Sequence, residues 1–199
     1  MRNLKWFARP DKFKNRLIMV ILGVLIQGFG LSWIIEVSFG TDPCSAFTQG
    51  VISHVPLSFG TAQLLINIIL FVVVFFADTG LIGFGTIANM VFIGYISDFC
   101  RFIYSKTLPA ELFQNTTTRI IILIPALIVF ILGAAMYMTA GLGTSPYDAI
   151  AFIVSERAEN IPFKFIRMSW DIIFLLLGWI MGGNIGVVTF AVAFFLGPV

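Results

Sequence analysis

Gly40-Thr41-Asp42-Pro43 recurs as Gly143-Thr144-Ser145-Pro146, 103 positions further along the chain. The same displacement carries Gly30 onto Gly133, Ile82-Gly83 onto Ile185-Gly186, Thr86 onto Thr189 and Gly94 onto Gly197. A repeat of this length in an apolar chain implies a pseudo-symmetric bundle of two like halves, with a working site expected between them.

Composition sets the class. The 199 residues are 59% hydrophobic and 11% charged, with a mean hydropathy of +1.00, where a soluble domain carries about 25% charged residues. A water-soluble fold of this size cannot bury so much apolar surface. Twenty-two Phe and four Trp suit contact with lipid. The apolar runs are continuous rather than alternating, which argues against a β-barrel. The expectation is an all-α membrane protein.

Six runs approach the roughly 20 residues that cross a bilayer: 17–37, 61–77, 81–104, 120–139, 163–181 and 184–199. By the repeat offset, the partner of Asp98 falls just past Val199, an expectation of further chain there. Leu17 begins a full-length run with no small-residue cleavage site, so the start does not read as a cleavable signal peptide. The organisation expected is a basic arm (1–16), a first membrane repeat (17–105), an outer linker (106–118) and a second repeat (119–199).

Between the first and second runs, and again between the fourth and fifth, lie segments 43–55 and 146–157. About twelve residues at 1.5 Å each cannot span 30 Å. Both open with helix-start signals: Asp42 and Ser145 as N-caps, and Pro43 and Pro146 at the first helical position. Ser145 with Asp148 also reads as a capping box. Each half is therefore expected to hold three spans and one short re-entrant or interfacial helix. Three is odd, so the second half enters from the opposite side and the repeats are inverted. Six basic residues, Arg2, Lys5, Arg9, Lys12, Lys14 and Arg16, precede the first span. A cytoplasmic N-terminus puts these with Arg157, Lys164 and Arg167 inside, as the positive-inside rule asks, and the chain is expected in the inner (cell) membrane as a multi-pass protein. The small net charge of +2 implies no nucleic-acid partner. The arm, with Trp6 and Phe7, suits the lipid bilayer surface.

Polar groups inside a bilayer default to functional candidates. Arg167 and Asp171 share a face of the fifth span by their i,i+4 spacing. Gln63 and Asn67 take the corresponding places on the second span, allowing one gap. Two readings stand. The four form a midplane site with Asp171 as a proton or cation acceptor, or they are an ion pair and an amide contact that hold register. Asp98 on the third span is a further candidate. Glu36 reads as a boundary charge, and Asn89 and Gln27 serve equally as helix–helix hydrogen bonds.

The two turns have a mechanism of their own. A half-helix that starts inside the membrane points free N–H groups at whatever precedes it, and Gly40 and Gly143 supply tight turns. With Thr41, Thr144 and Asp148 they make a ligand site or simply well-capped helices; Asp42 there suits a cationic or zwitterionic ligand over an anion. Cys44 and Cys100 fall on one side, where a disulfide is conceivable, though two free thiols fit as well. With His54 they make no metal set. No cofactor motif and no catalytic set of acid, base and nucleophile converges, so no enzyme activity is expected. Asn115-Thr116-Thr117 is a sequon in the outer linker. Gly28/Ser32 and Gly178/Gly182 have the spacing of close helix packing, within the bundle or across a homodimer.

Gly141-Leu142-Gly143-Thr144-Ser145-Pro146-Tyr147-Asp148, the approach Leu57-Ser58-Phe59-Gly60-Thr61, and Gly83-Phe84-Gly85-Thr86 leading to Asn89, Ile93-Gly94 and Asp98 resemble the YczE/YitT-like family of small bacterial membrane proteins. In that family the turn reads Gly-Leu-Gly-Thr-Gly-Pro-Trp-Asp; Ser145 and Tyr147 are mild departures, and Cys44-Ser45 in the first copy is a larger one. The resemblance implies a multi-pass membrane protein and no defined substrate. Two functions are therefore carried forward. One is a small secondary transporter or permease for a small polar solute. The other is a non-transporting accessory protein that supports a partner enzyme or sensor.

Overall fold

The structure, a computed structural model, describes residues 7, 9–158 and 160–196. Among them every regular element is helical: α1 (Phe13–Val37), α2 (Pro43–Ile52), α3 (Phe59–Ala77), α4 (Phe84–Thr107), α5 (Thr116–Thr139), α6 (Pro146–Arg157), α7 (Phe163–Ile180) and α8 (Val187–Ala191). Short 3₁₀ turns at Thr79–Leu81 and Ala110–Phe113 precede α4 and α5, and a π turn, Val192–Leu196, extends α8. Arg2, Lys5 and Trp6 of the expected arm lie outside the described residues, as do Gly197 and Val199.

Four helices, α1, α3, α4 and α5, are long and apolar enough to cross a membrane. The 18-residue α7 is apolar too but carries Lys164, Arg167 and Asp171 in its first half. Within the sixth expected span, helix begins only at Val187. Element ends shift by a few residues from the sequence expectations. The helix α1 starts at Phe13, before the apolar run, because Lys14 and Arg16 continue the helix out of it. The short α2 stops at Ile52 rather than 55, where Ser53 and Pro56 end it. Both short helices start where the caps indicate. The Asp42 side chain accepts from Ser45 N at 3.0 Å, and Ser145 Oγ accepts from Asp148 N at 3.1 Å.

The central feature is the packing of α1 on α5. Proceeding up α1, Gly23 faces Gly133 and Tyr137, then Gln27 faces Gly133, then Gly30 faces Phe130. Partner numbers fall as α1 numbers rise, so the two helices are antiparallel. A Cβ on Gly30 would stand 2.7 Å from Phe130 N, and one on Gly133 would meet the backbone of Gln27. Those contacts are one contact made twice, since 103 positions separate Gly30 from Gly133 and Gln27 from Phe130. Each end of the pair is closed by an arginine. Arg16 Nη1 donates to Ala140 O at 3.0 Å. Arg119 Nε donates to Val37 O at 2.6 Å and its Nη2 to Ser38 O at 3.1 Å. Arg16 with Arg119, and Val37 with Ala140, are again 103 apart. Each cation sits at the negative end of the other helix, where unpaired carbonyls await donors.

The repeated turns exchange in the same manner. Gly85 N donates to Leu142 O at 2.7 Å, and Val188 N donates to Phe39 O at 3.1 Å. Thr86 Oγ1 accepts from Gly83 N at 3.0 Å, and Thr189 Oγ1 from Gly186 N at 3.3 Å. The turn glycines have left-handed backbones, φ +95° at Gly40 and +102° at Gly143. The first half's turn thus rests on the start of α8, and the second half's turn rests on the start of α4. The short helices follow: α2 packs on α7 and α6 on α3. Between them lies an apolar core that includes Cys44, Tyr147, Ile66, Val74, Ile82 and Phe174.

Candidate functional site

One cluster of buried charge lies where α6 meets α7. Asp171 is 1% exposed. Its Oδ1 accepts from Tyr147 Oη at 2.6 Å, and its Oδ2 lies 3.3 Å from Arg167 Nε. Arg167 Nη1 pairs with Asp148 Oδ1. Asp148 Oδ2 accepts from Ser145 Oγ at 2.6 Å. The guanidinium also sits 4.9 Å from the Tyr147 ring centroid, a cation–π placement.

The local sequence dictates this geometry. Pro146 starts α6, so Tyr147 and Asp148 fall on its first turn, where the helix dipole favours a carboxylate. The i,i+4 spacing puts Arg167 and Asp171 on one stripe of α7, and the stripe faces that first turn. Phe174, one turn further along, meets the Tyr147 ring edge-on at 4.8 Å and Phe47 of α2 at 5.4 Å. The wall beyond the charges is therefore aromatic. Asp42, the N-cap of α2, accepts from Ser45 N and lies within electrostatic reach of Asp148. The starts of the two short helices thus face the same centre.

The structure joins two features that the sequence left separate. Asp148, read as a cap, is the closest partner of Arg167, read as a pair with Asp171. The capping box takes a different form from the expected one: Asp148 binds the Ser145 hydroxyl instead of reaching back to a backbone N–H. Gly143 and Thr144 lead into the cluster. Thr144 N donates to Leu81 O at 3.1 Å, while its Oγ1 is buried without a partner.

Other expected members lie elsewhere. The helices α3 and α7 do not pack as a pair, because α2 and α6 run between them. Asn67 is buried and donates to Gln63 O at 3.0 Å within its own helix. Gln63 Oε1 is turned toward Gly94 of α4 and lacks a partner. Asp98 caps a neighbouring helix, accepting from Gly60 N at 2.8 Å, and lies 4.0 Å from Arg101, which binds Glu36 at 2.8 Å. Asn89 is buried on α4. Thr41 is fully buried at the first turn, and its hydroxyl accepts from Gln49 Nε2 at 3.1 Å. Cys44 and Cys100 are both free thiols. The structure thus does not bring Gln63 and Asn67 to Arg167 and Asp171: the ion pairs join α6 to α7, with Asp42 of the first half within electrostatic reach.

Three residues here were not singled out from the sequence. Tyr147 stands where the family's turn has Trp, directly before Asp148. Tyr137, 1% exposed, and Trp170, beside Tyr147 at 5.9 Å, both hold buried polar atoms without partners. Nothing in a lone aromatic residue within an apolar run marks it for such a role.

The described residues also leave two open grooves. One, of about 360 Å³, lies between α2 and α3, lined by Phe47, Val51, Ile66 and Ile69 among others. The second, of about 280 Å³, lies between α6 and α7, lined by Ile150, Val154, Trp170 and Ile173 among others. The linings correspond through the repeat, and both are apolar.

Comparison with known proteins gives a family match over residues 14–199, to a family described as "Family of unknown function (DUF6198)". The chain is similar to an uncharacterized membrane protein, YczE, of Bacillus subtilis (strain 168). They are 29% identical over 177 residues, which cover 88% of this chain and 79% of the relative. It is also similar to an uncharacterized protein of Haemophilus influenzae, 25% identical over 91% of this chain and 79% of that one. A third relative is the uncharacterized YyaS of Bacillus subtilis (strain 168), 25% identical over 84% of this chain and 82% of its own. No solved structure matches.

Proposed function

The chain belongs to the DUF6198 family and is a YczE-like membrane protein, and from that premise we propose that it is a small secondary transporter or permease of the inner membrane. In this reading the two halves are inverted repeats with six crossings, the N-terminus is cytoplasmic, and a small polar solute is handled at the Asp148–Arg167–Asp171 cluster.

The observation that carries the reading is the placement of that cluster. It lies at the start of a short helix too short to cross, against a charged span, in the zone where the halves exchange contacts. Inverted-repeat transporters use broken helices and midplane charge in this way. Antiparallel packing of the equivalent helices α1 and α5 supports inversion, since a twofold axis relating them lies across their length. Helix ends also sort consistently. Arg157 reaches Ala77 O at one end of the bundle, and Ser53 reaches Met181 O at the other. Both contacts support a full traverse for α7. A second reading, a non-transporting accessory protein, draws on the two apolar grooves, which suit helix or lipid contact better than a polar solute.

Two results are expected. Asp171→Asn, expressed at wild-type abundance in a deletion strain, fails to restore growth across a panel of small amines, amino acids and alkali salts on which the wild-type gene does. Full restoration would count against transport through this cluster. For topology, Val55→Cys and Asn160→Cys sit in exposed loops after α2 and α6, whereas Cys44 and Ser145 are buried. With Cys100 replaced, an impermeant thiol reagent added outside labels Val55→Cys only. Labelling of both from one side would refute inversion.

A further inference from the structure

The paired helices α1 and α5 present the same outward face and differ at its foot. In α1, Ile18, Ile21, Leu25 and Phe29 recur every three or four positions, so they form one stripe, and all four are exposed. In α5 the positions 103 further on, Ile121, Ile124, Ile128 and Leu132, form the same stripe and are exposed too. One turn before its stripe α1 carries Lys14, with Lys12 and Arg9 ahead of it, all three exposed. The corresponding places before the α5 stripe hold Thr117, Asn115 and Leu112. Because α1 and α5 are antiparallel, the charged foot and the uncharged one lie at opposite ends of the bundle.

The helix does not explain these cations. Positive charge at a helix start opposes the dipole, and Lys12, the N-cap of α1, makes no side-chain cap bond. Its counterpart Asn115 caps α5, accepting from Thr117 N at 2.9 Å. Nor do carboxylates explain them: among the described residues no ion pair engages Arg9, Lys12 or Lys14, and Asp11 is the one acid between 9 and 16. The turn is nevertheless held in place. Arg9 lies over the Phe13 ring, 5.5 Å from its centroid, and Phe13 and Phe7 meet Phe84 of α4 edge-on at 5.2 and 4.8 Å. The charges are thus fixed against the bundle where the apolar stripe begins.

We propose that the foot of α1 is a docking site for an anionic phospholipid. The headgroup phosphate is held by Arg9, Lys12 and Lys14, and an acyl chain runs along the Ile18–Phe29 stripe. Basic residues just outside a span attract anionic headgroups, and a lysine at a span end keeps its stem on apolar surface while its ammonium reaches the interface. Continuity of cations with an exposed apolar stripe selects a lipid over a soluble anion, which would use the charges and leave the stripe unused. The foot of α5 offers the stripe without the cations, so the site is confined to the leaflet in which α1 starts. The inference goes beyond the transport reading and does not depend on it.

The test uses the full chain purified in a neutral detergent and unfolded thermally with phosphatidylglycerol, phosphatidylcholine of the same acyl chains, or glycerol 3-phosphate. Phosphatidylglycerol is expected to raise Tm over phosphatidylcholine by on the order of 5 °C at saturation, and glycerol 3-phosphate to leave it unchanged. The triple variant Arg9→Gln, Lys12→Gln, Lys14→Gln loses most of the rise. The charge-keeping pair Lys12→Arg, Lys14→Arg retains it. So does Lys106→Gln with Lys164→Gln, which removes two exposed cations elsewhere on the surface. Equal wild-type Tm in the two lipids, or a full rise in the triple variant, would overturn the site. An equal rise with glycerol 3-phosphate would replace the lipid by a soluble anion, and an equal loss in the Lys106/Lys164 pair would reduce the effect to diffuse charge; either result overturns the proposal.

Discussion

Gly143→Ala strips most of the folded protein from the membrane, at a cost of about 4 kcal/mol. Two penalties combine. The backbone at Gly143 has φ +102°, a region that L side chains rarely adopt. An added Cβ would also stand 2.5 Å from Gly83 N and 2.6 Å from Thr86 Oγ1. Neither neighbour can retreat: Gly83 N is bonded to Thr86 Oγ1, and Gly85 N is bonded to Leu142 O. Gly182→Ala provides the control. It shares the positive φ, +72°, but has nothing within 4 Å of the new Cβ, so it costs about 1 kcal/mol. Thermal unfolding in detergent with fluorescence-detected size exclusion reads both. A Gly143→Ala protein with wild-type Tm would show that the turn yields where the packing says it cannot.

Arg167→Leu is expected to destabilise the protein by about 3 kcal/mol, because it leaves Asp148 and Asp171 buried against each other with no cation. The leucine fills most of the vacated volume, so the loss reports charge rather than a cavity. Asp171→Asn in the same background recovers part of it, and Asp148→Asn together with Asp171→Asn recovers most. That order follows from burial, since the Asp171 side chain is 1% exposed and the Asp148 side chain 19%. The measurement is a double-mutant cycle on Tm. Equal stability of Arg167→Leu with wild type would mean that water reaches the cluster and screens it.

Much of this was legible in the residues. Apolar run length and composition located the four long helices, and Asp42-Pro43 and Ser145-Pro146 located the starts of the short ones to the residue, because a cap and a proline at the first position act locally. The repeat offset also held information that motif reading passed over. Arg16 and Arg119 are related by it, yet as two arginines at helix starts they read as loop charges. Their use as caps on each other's helix depends on antiparallel packing. The site was read less well. Gln63 and Asn67 match Arg167 and Asp171 in position, but position under a repeat does not transmit contact. The facing short helix offers Tyr147 and Asp148 to one span and carries Cys44 and Ser45 at the other two corresponding places. Asp98 shows a role that the sequence did not single out, since a carboxylate near a span end is equally a cap for the helix beside it, and it accepts from Gly60 N.

The exchange of backbone bonds between halves also bears on how the protein is made. Phe39 O leaves the ribosome well before its donor, Val188 N, which lies 149 residues further along (188 − 39). Until then the first turn carries an unmet carbonyl, and the glycine seat at Gly186 does not exist. The first turn is therefore closed only once the second half has emerged. A nascent chain stalled before α8 holds inserted helices without the bond that closes the first turn.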